Sequence, residues 1–440
     1  MKGRSSFLAL LALLSKGWEL YMSSRRLDSL IEEAKESALK YIGAGPEDLE
    51  KGLELHKTIF TCDLFGFLPR TFSKKAQESI AEMIRNGASY QEVQPMRYVL
   101  TFVSSHIYDP YCREEYLKAI RAPQLDCTIM PIGSEKSLHD SLHRISWYIQ
   151  LFDGMREYMT KCISVDDIES ARKEGKLAVI CNANCAPAQG GLLDGMDAHH
   201  WIDIFYRFGV RVMHLTYNRR NWVGDGCLEP ANGGLSLHGQ DVVKHLNRIG
   251  VIIDTAHSGE RTTIDAAKFS RTPIVATHTT CKALYDHPRG KTDDEIRAIA
   301  DGGGLVGICA IPSFLGENAS VKDLLDHVDY AVNLVGPDHV AIGTDTGVIC
   351  PPAPSEVSNT PPSPIPSPYS GDRWFGAWES APKPSPASPE GKKSLALTNW
   401  PYFTVGLLSR GYSKEDIEKI MGKNFLRVFT AVEAGKEKPA

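Results

Sequence analysis

The sequence predicts an α/β chain of the (β/α)₈ TIM-barrel class, and two observations carry that expectation. Between residues 59 and 345, short apolar runs alternate with helix-like or loop stretches, which is the pattern of β/α units around a parallel sheet. The runs are rich in Val, Ile and Leu without strict polar alternation, as strands buried on both faces require, and eight of them close naturally into a barrel. An open doubly wound sheet is the other architecture that eight strands permit.

Taken in order, the expected strands are Ile59–Asp63, Tyr98–Val103, Leu177–Asn182, Val212–Thr216, Val251–Thr255, Pro273–His278, Gly304–Ala310 and His339–Asp345. Helices fit between them, for example over Asp294–Ala300 and Val321–Val332. A final helix is expected over 413–433, where Ser413 and Asp416 have N-cap and N3 spacing. The barrel is placed over 51–433, preceded by a helical extension over 1–50 and followed by a tail over 434–440. One segment interrupts it: residues 350–391 hold 12 of the 26 prolines and cannot be regular structure. Such an insertion can be solvated. It also follows the last strand at the face where barrel enzymes carry their active sites, and its Arg373, Trp374, Phe375 and Trp378 could dock there as a lid.

Composition narrows the function classes. With 42% hydrophobic and 23% charged residues the chain is an ordinary globular protein. Lys plus Arg number 49 against 54 Asp plus Glu, a net charge of −5, so no basic field exists to collect nucleic acid. Ten cysteines without a Cys-x-x-Cys pair read as reduced thiols. The apolar stretch Phe7–Leu14 is far shorter than the roughly 20 residues a membrane span needs. The expectation is a cytoplasmic chain with no membrane span, exported only if residues 1–21 act as a signal peptide. Its partner is expected to be a small molecule, and a homodimer is allowed.

Several runs end at a polar residue: Asp63, Asn184, Tyr217, His257, His278 and Asp345. On the C-terminal face of a barrel these would converge. His257 follows Val251-Ile-Ile-Asp-Thr-Ala, and His278 closes Pro273-Ile-Val-Ala-Thr-His. Two imidazoles at successive strand ends, with the carboxylates of Asp345 and Asp63 at two others, suit zinc or a similar divalent ion. His199 and His200 open a helix, and His139, His143, His238 and His245 lie in helix-like stretches; all six read as solvated or capping residues.

Several stretches in order resemble the membrane (renal) dipeptidase family. They are Arg211-Val-Met-His-Leu-Thr-Tyr-Asn218, Asp225-Gly-Cys-Leu-Glu229, Gly234-Leu-Ser236, Asn247-Arg-Ile-Gly-Val-Ile-Ile-Asp-Thr-Ala-His257, His278 with Arg289 eleven residues on, Ile342-Gly-Thr-Asp-Thr-Gly347, Arg410-Gly-Tyr-Ser-Lys-Glu-Asp416 and Gly422-Lys-Asn-Phe-Leu-Arg-Val-Phe429. The resemblance runs from about Phe60 to Glu433. It implies an amidohydrolase-type barrel whose metal site, usually two zincs, hydrolyses dipeptides. By position it implies that His257 and His278 bind metal with Asp63 and Asn184 at the remaining ligand positions, that Asp345 handles the proton, and that Arg289 holds the substrate carboxylate with Asn218 beside it. Tyr217 stands at a catalytic position where the family carries a substrate-polarising His.

The departures are specific. The family's first-strand His-x-Asp aligns with Thr61-Cys62-Asp63, which lacks the imidazole, and its bridging Glu aligns with Asn184, whose neutral amide is a poor bridge between two cations. The expectation is therefore a dipeptidase-like metallohydrolase with one or two zinc ions per chain, one being favoured. The alternative is a barrel with a degenerate metal site that acts as a non-peptidase enzyme or binds a small carboxylate-bearing ligand.

Overall fold

The computed structural model describes residues 26–134, 138–186, 196–317, 319–353 and 388–437. The segment Phe7–Leu14 and Arg373, Trp374, Phe375 and Trp378 lie outside the described residues, so the lid expectation does too. Two compact units emerge.

The larger unit is the barrel, built from the described residues of 34–67, 123–346 and 388–437. The chain's strands are β1 (Cys62–Asp63), β2 (Phe67–Arg70), β3 (Cys127–Gly133), β4 (Met159–Cys162), β5 (Leu177–Ala183), β6 (Val210–His214), β7 (Ile252–Asp254), β8 (Val275–Cys281), β9 (Gly290–Lys291), β10 (Leu305–Ile308), β11 (Val340–Ile342) and β12 (Gly347–Ile349). Eight run parallel in the order β1-β3-β5-β6-β7-β8-β10-β11, with β4 added to β5 and β9 to β8. The two ends of this order meet, because the Leu64 amide donates to Ile342 O at 3.1 Å and the Asp345 amide to Phe65 O at 2.7 Å. The barrel class is thus the one the apolar runs predict.

Its core follows the period of two along each strand. Cys62, Cys127, Ile129, Ala178, Ile180, Val212, Ile252, Val275, Leu305 and Ala341 form one buried cluster with Phe425, Val428 and Phe429 of the last helix. Two positions further along the same strands the row turns polar, at Asn182, His214, Asp254 and Thr277, all fully buried. Apolar burial stabilises the lower layers; the polar layer is where chemistry can occur.

Three expectations fail locally. Tyr98–Val103 is not a strand: it belongs to the helix Tyr90–Val99 and a π-helical turn over Leu100–Ser104. Ser89 and Glu92 cap that helix reciprocally, a start signal that outweighs a six-residue apolar run. The second barrel strand is instead β3, whose Pro131 hides it in the sequence. The ladder accommodates Pro131 through a register shift against β5 before Gly133. The final helix is also broken, into Lys414–Glu418, a π-helical turn over Lys419–Lys423, and Asn424–Ala434. A Cβ on Gly422 would stand 2.7 Å from Phe60 Cδ1 and O, so the break lets the chain press against the start of β1. His245, expected to be solvated or capping, is buried, with Nε2 2.8 Å from Asp203 Oδ1.

The smaller unit holds 26–33, 68–122 and 347–353 among the described residues. Its helices Lys74–Arg85, Tyr90–Val99 and Pro110–Arg121 accompany the two-stranded pairing of β2 with β12. Inside it the His106 ring stacks on Tyr116 at 3.8 Å and lies 3.1 Å from the Thr71 hydroxyl. All ten cysteines are free thiols. No helix among the described residues is long and apolar enough to cross a membrane.

Candidate active site

Just past β7 and halfway along β8 the two histidines singled out by sequence face each other, His257 Nε2 to His278 Nε2 at 3.0 Å. Their partners fix what those nitrogens carry. His257 Nδ1 is 2.7 Å from Asn218 Oδ1, an oxygen that only accepts, so Nδ1 carries the proton and Nε2 the lone pair. His278 Nδ1 is 2.8 Å from Thr277 Oγ1, whose single proton goes to Asp254 Oδ2, so Thr277 accepts from His278 and Nε2 is again a lone pair. Two lone pairs held 3.0 Å apart need positive charge between them. A proton there is disfavoured: burial, with the Arg289 cation next, holds both imidazoles well below the usual histidine range. A divalent ion fits the donor set better, because two imidazoles bound at about 2.0 Å to one tetrahedral ion stand roughly 3.3 Å apart. Orienting partners behind both rings are what metal-binding histidines require.

The structure also brings in a residue to which the sequence reading gave no role. His214, at the end of β6, offers a ring nitrogen that lies within 4.8 Å of those of His257 and His278, and the three are buried. The signal was present: His214 follows Val212 on the inward row of its strand and pairs in register with Asp254.

Asn218 reaches His257 from a left-handed conformation, φ 54°. Gly226 makes that loop compact, since a Cβ there would come within 2.2 Å of the Asn218 backbone. The Cys227 amide then donates to His257 O at 2.9 Å and the Leu228 amide to Asn218 O at 2.8 Å. Tyr217 lies flat on His257, ring centroids 4.1 Å apart, and so forms a wall of the site.

Arg289 is 1% exposed. It donates through Nη1 to Ala256 O and through Nη2 to His278 O at 3.0 Å, bracing the chain beside both histidines. Among the described residues no carboxylate forms an ion pair with it. Asp345 feels its charge without forming an ion pair with it, so the buried guanidinium gains from an anion at its remaining N–H groups. Asp345 also has positive φ, 55°, in the turn after β11; burial pushes its carboxyl up to about 7 against the pull of Arg289.

The other two expected positions sit differently. Asp63 accepts from the Phe65 amide at 3.1 Å, the Thr344 amide at 2.8 Å and the Thr344 hydroxyl at 2.6 Å, while burial raises it to about 7. The first strand instead presents Phe65 to the histidines. Thr61 lies at the opposite end of the barrel, its hydroxyl donating to Gln124 O at 3.0 Å just before β3. Asn184 follows β5 and is nearly buried.

Residues 74–362 and 386–440 match the membrane dipeptidase family, peptidase family M19. The chain belongs to that family. Dipeptidase tcpJ of Claviceps purpurea is 27% identical over 302 residues, 68% of this chain, and the chain spans only 61% of that relative's length. An amidohydrolase from Pseudomonas aeruginosa has the same fold, with TM-score 0.62 at 22% identity over 87% of this chain and 98% of that one. A metallo peptidase from Rhodobacter sphaeroides, liganded with a phosphinate mimic of the dipeptide L-Ala-D-Ala, superposes with TM-score 0.58 at 18% identity over 85% and 99%. The dipeptidase-family match begins after β1, so it includes the histidine strands and leaves Thr61 and Asp63 outside.

Proposed function

We propose that the chain is a metal-dependent hydrolase that cleaves a dipeptide or a similar small amide bearing a free carboxylate, with zinc as its ion. The single observation that carries this reading is the pair of Nε2 lone pairs facing each other at 3.0 Å, with both Nδ1 protons committed to Asn218 and Thr277. When bound there, a divalent ion would polarise the scissile carbonyl and make water acidic enough to attack near neutral pH.

The remaining roles fall to the chain's own groups. Arg289, buried and lacking an anionic partner among the described residues, pairs with the substrate carboxylate through its unused N–H groups. Asp345, titrating near 7, takes the proton of the attacking water and returns it to the leaving amine. Tyr217 and Phe65 flank the imidazoles and exclude bulk water from one face each. Membership of the dipeptidase family and the dipeptide mimic in the Rhodobacter sphaeroides relative support this substrate class.

One observation favours the alternative of a non-peptidase enzyme or small-ligand binder: Phe65 stands against His278 where a second set of ligands would have to enter. The full chain, loaded with zinc and incubated with L-Ala-D-Ala and L-Ala-L-Ala, decides between them. Release of free alanine that stops with chelator and returns with zinc supports the hydrolase; a chain that holds zinc yet releases none supports the alternative.

A further inference from the structure

We propose that His214 is the third protein ligand of a single ion held with His257 and His278, giving a one-metal, three-imidazole centre. This rests on the metal-dependent reading above and goes beyond it, because neither the resemblance nor the motif spacing gives His214 a role.

All three rings turn Nδ1 to an oxygen, of Ala183 at 3.4 Å, Asn218 at 2.7 Å or Thr277 at 2.8 Å, as ligating histidines with orienting partners do. His214 Nε2 stands 3.0 Å from Asp254 Oδ2, an oxygen that only accepts and so favours a proton on that nitrogen. A divalent ion would take that proton's place, with the Asp254 oxygen beside it. The same Asp254 accepts the Thr277 hydroxyl proton and the amides of Ala256 and Thr277, which makes it the residue that positions His278 as well.

Two further observations bear on what fills the space. Asn182, on the inward row of β5, is fully buried, and neither of its amide atoms has a hydrogen-bond partner among the described residues. An orphan amide in the barrel interior costs of order 1–3 kcal/mol unless a polar occupant meets it. On the opposite side the Phe65 ring lies against His278 and edge-on to His214, and Asp63 is engaged by Thr344 and the Phe65 amide. The histidines are therefore met from the β1 side by an aromatic ring, and the Asp63 carboxylate beside it is already engaged, so β1 offers a second divalent ion no free ligand.

Cobalt(II) reports both stoichiometry and coordination number, independently of turnover. The full-length chain stripped with chelator should bind one cobalt, with the intense visible absorption of a four-coordinate ion. His214→Ala and the larger His214→Gln should each weaken that binding at least about 100-fold and collapse the absorption, since even outer-sphere partners of ligating histidines are worth 10–100-fold. His214→Cys should retain cobalt and add a thiolate-to-cobalt charge-transfer band; this variant tests direct ligation even if the truncations fold poorly by circular dichroism. Wild-type affinity in the folded His214 variants, with binding lost in His257→Ala, overturns the role of His214 and leaves the metal reading intact; His214 then serves only as a neighbour of Asp254. Two cobalt ions per wild-type chain overturn the one-metal centre. A wild-type chain that takes up neither cobalt nor zinc overturns both readings.

Discussion

Phe65 lies flat against His278, ring centroids 3.9 Å apart and planes 24° off parallel. The side of the histidine cluster that faces the first strand is therefore an aromatic surface. If a second ion is to be installed, the ligand has to replace Phe65. Phe65→His combined with Asn184→Glu should raise metal content from one to two ions per chain by elemental analysis. Thr61→His with the same Asn184→Glu should leave it at one, because Thr61 hydrogen-bonds to Gln124 at the other end of the barrel. Two ions in the Thr61 combination would mean that the strand runs past the site differently.

Removing either member of the facing pair should release the ion. His257→Ala and His278→Ala each leave too few protein ligands to compete with water, so purified variants should carry little zinc while keeping the wild-type far-ultraviolet spectrum. Full zinc occupancy in both variants would place the ion elsewhere.

Asp345→Asn should reduce turnover by about 10²–10⁴-fold, the usual contribution of a positioned general base, with zinc content unchanged. The amide keeps the size of the side chain and cannot take the proton. Retained turnover would transfer the proton-handling role to another group, and the buried Asp63, also near 7, is next to test.

Arg289→Lys keeps the positive charge and loses the planar fork. Against a substrate with a free carboxylate KM should rise about 10- to 100-fold, the worth of one charge-assisted hydrogen bond of roughly 1.5–3 kcal/mol. Against the corresponding C-terminal amide the change should be small. An equal loss on both substrates would mean that Arg289 acts only by bracing Ala256 and His278.

Acid should destabilise the barrel in a window set by its buried histidines. His56 sits between Thr404 Oγ1 at 2.7 Å and Pro123 O at 3.3 Å, and burial lowers it to about 4. Its folded pKa lies below the unfolded value near 6.5, so the unfolded chain takes up the proton first. Stability is then unaffected above about pH 6.5 and falls as pH drops from there toward 4, by about 3 kcal/mol from this one residue. His56→Gln should flatten the dependence of the urea midpoint on pH over that window; an unchanged slope would assign the loss to other groups.

The β/α alternation was legible in the sequence, because strands buried on both faces must be continuously apolar and their spacing leaves room for one helix each; closure into a barrel, not an open sheet, came from the pairing of the first strand's end with the last. The sequence determined the pair His257 and His278 as well, since each closes such a run and parallel strands bring their C-terminal ends to one face. Only the tertiary structure decided the rest. Tyr98–Val103 was as apolar as a strand, but the Ser89/Glu92 cap committed it to a helix, and β3 was masked by a proline that the ladder absorbs through a register shift. His214 and Asp254 are adjacent only through the parallel register of β6 with β7, a pairing across 40 residues that no local pattern announces. Whether Asp63 faces the histidines or Thr344, and whether Phe65 or an imidazole covers His278, depends on the sharp turn after a two-residue strand. There a rotation of one residue exchanges the side chain that points at the site, so the sequence permits both and packing selects one.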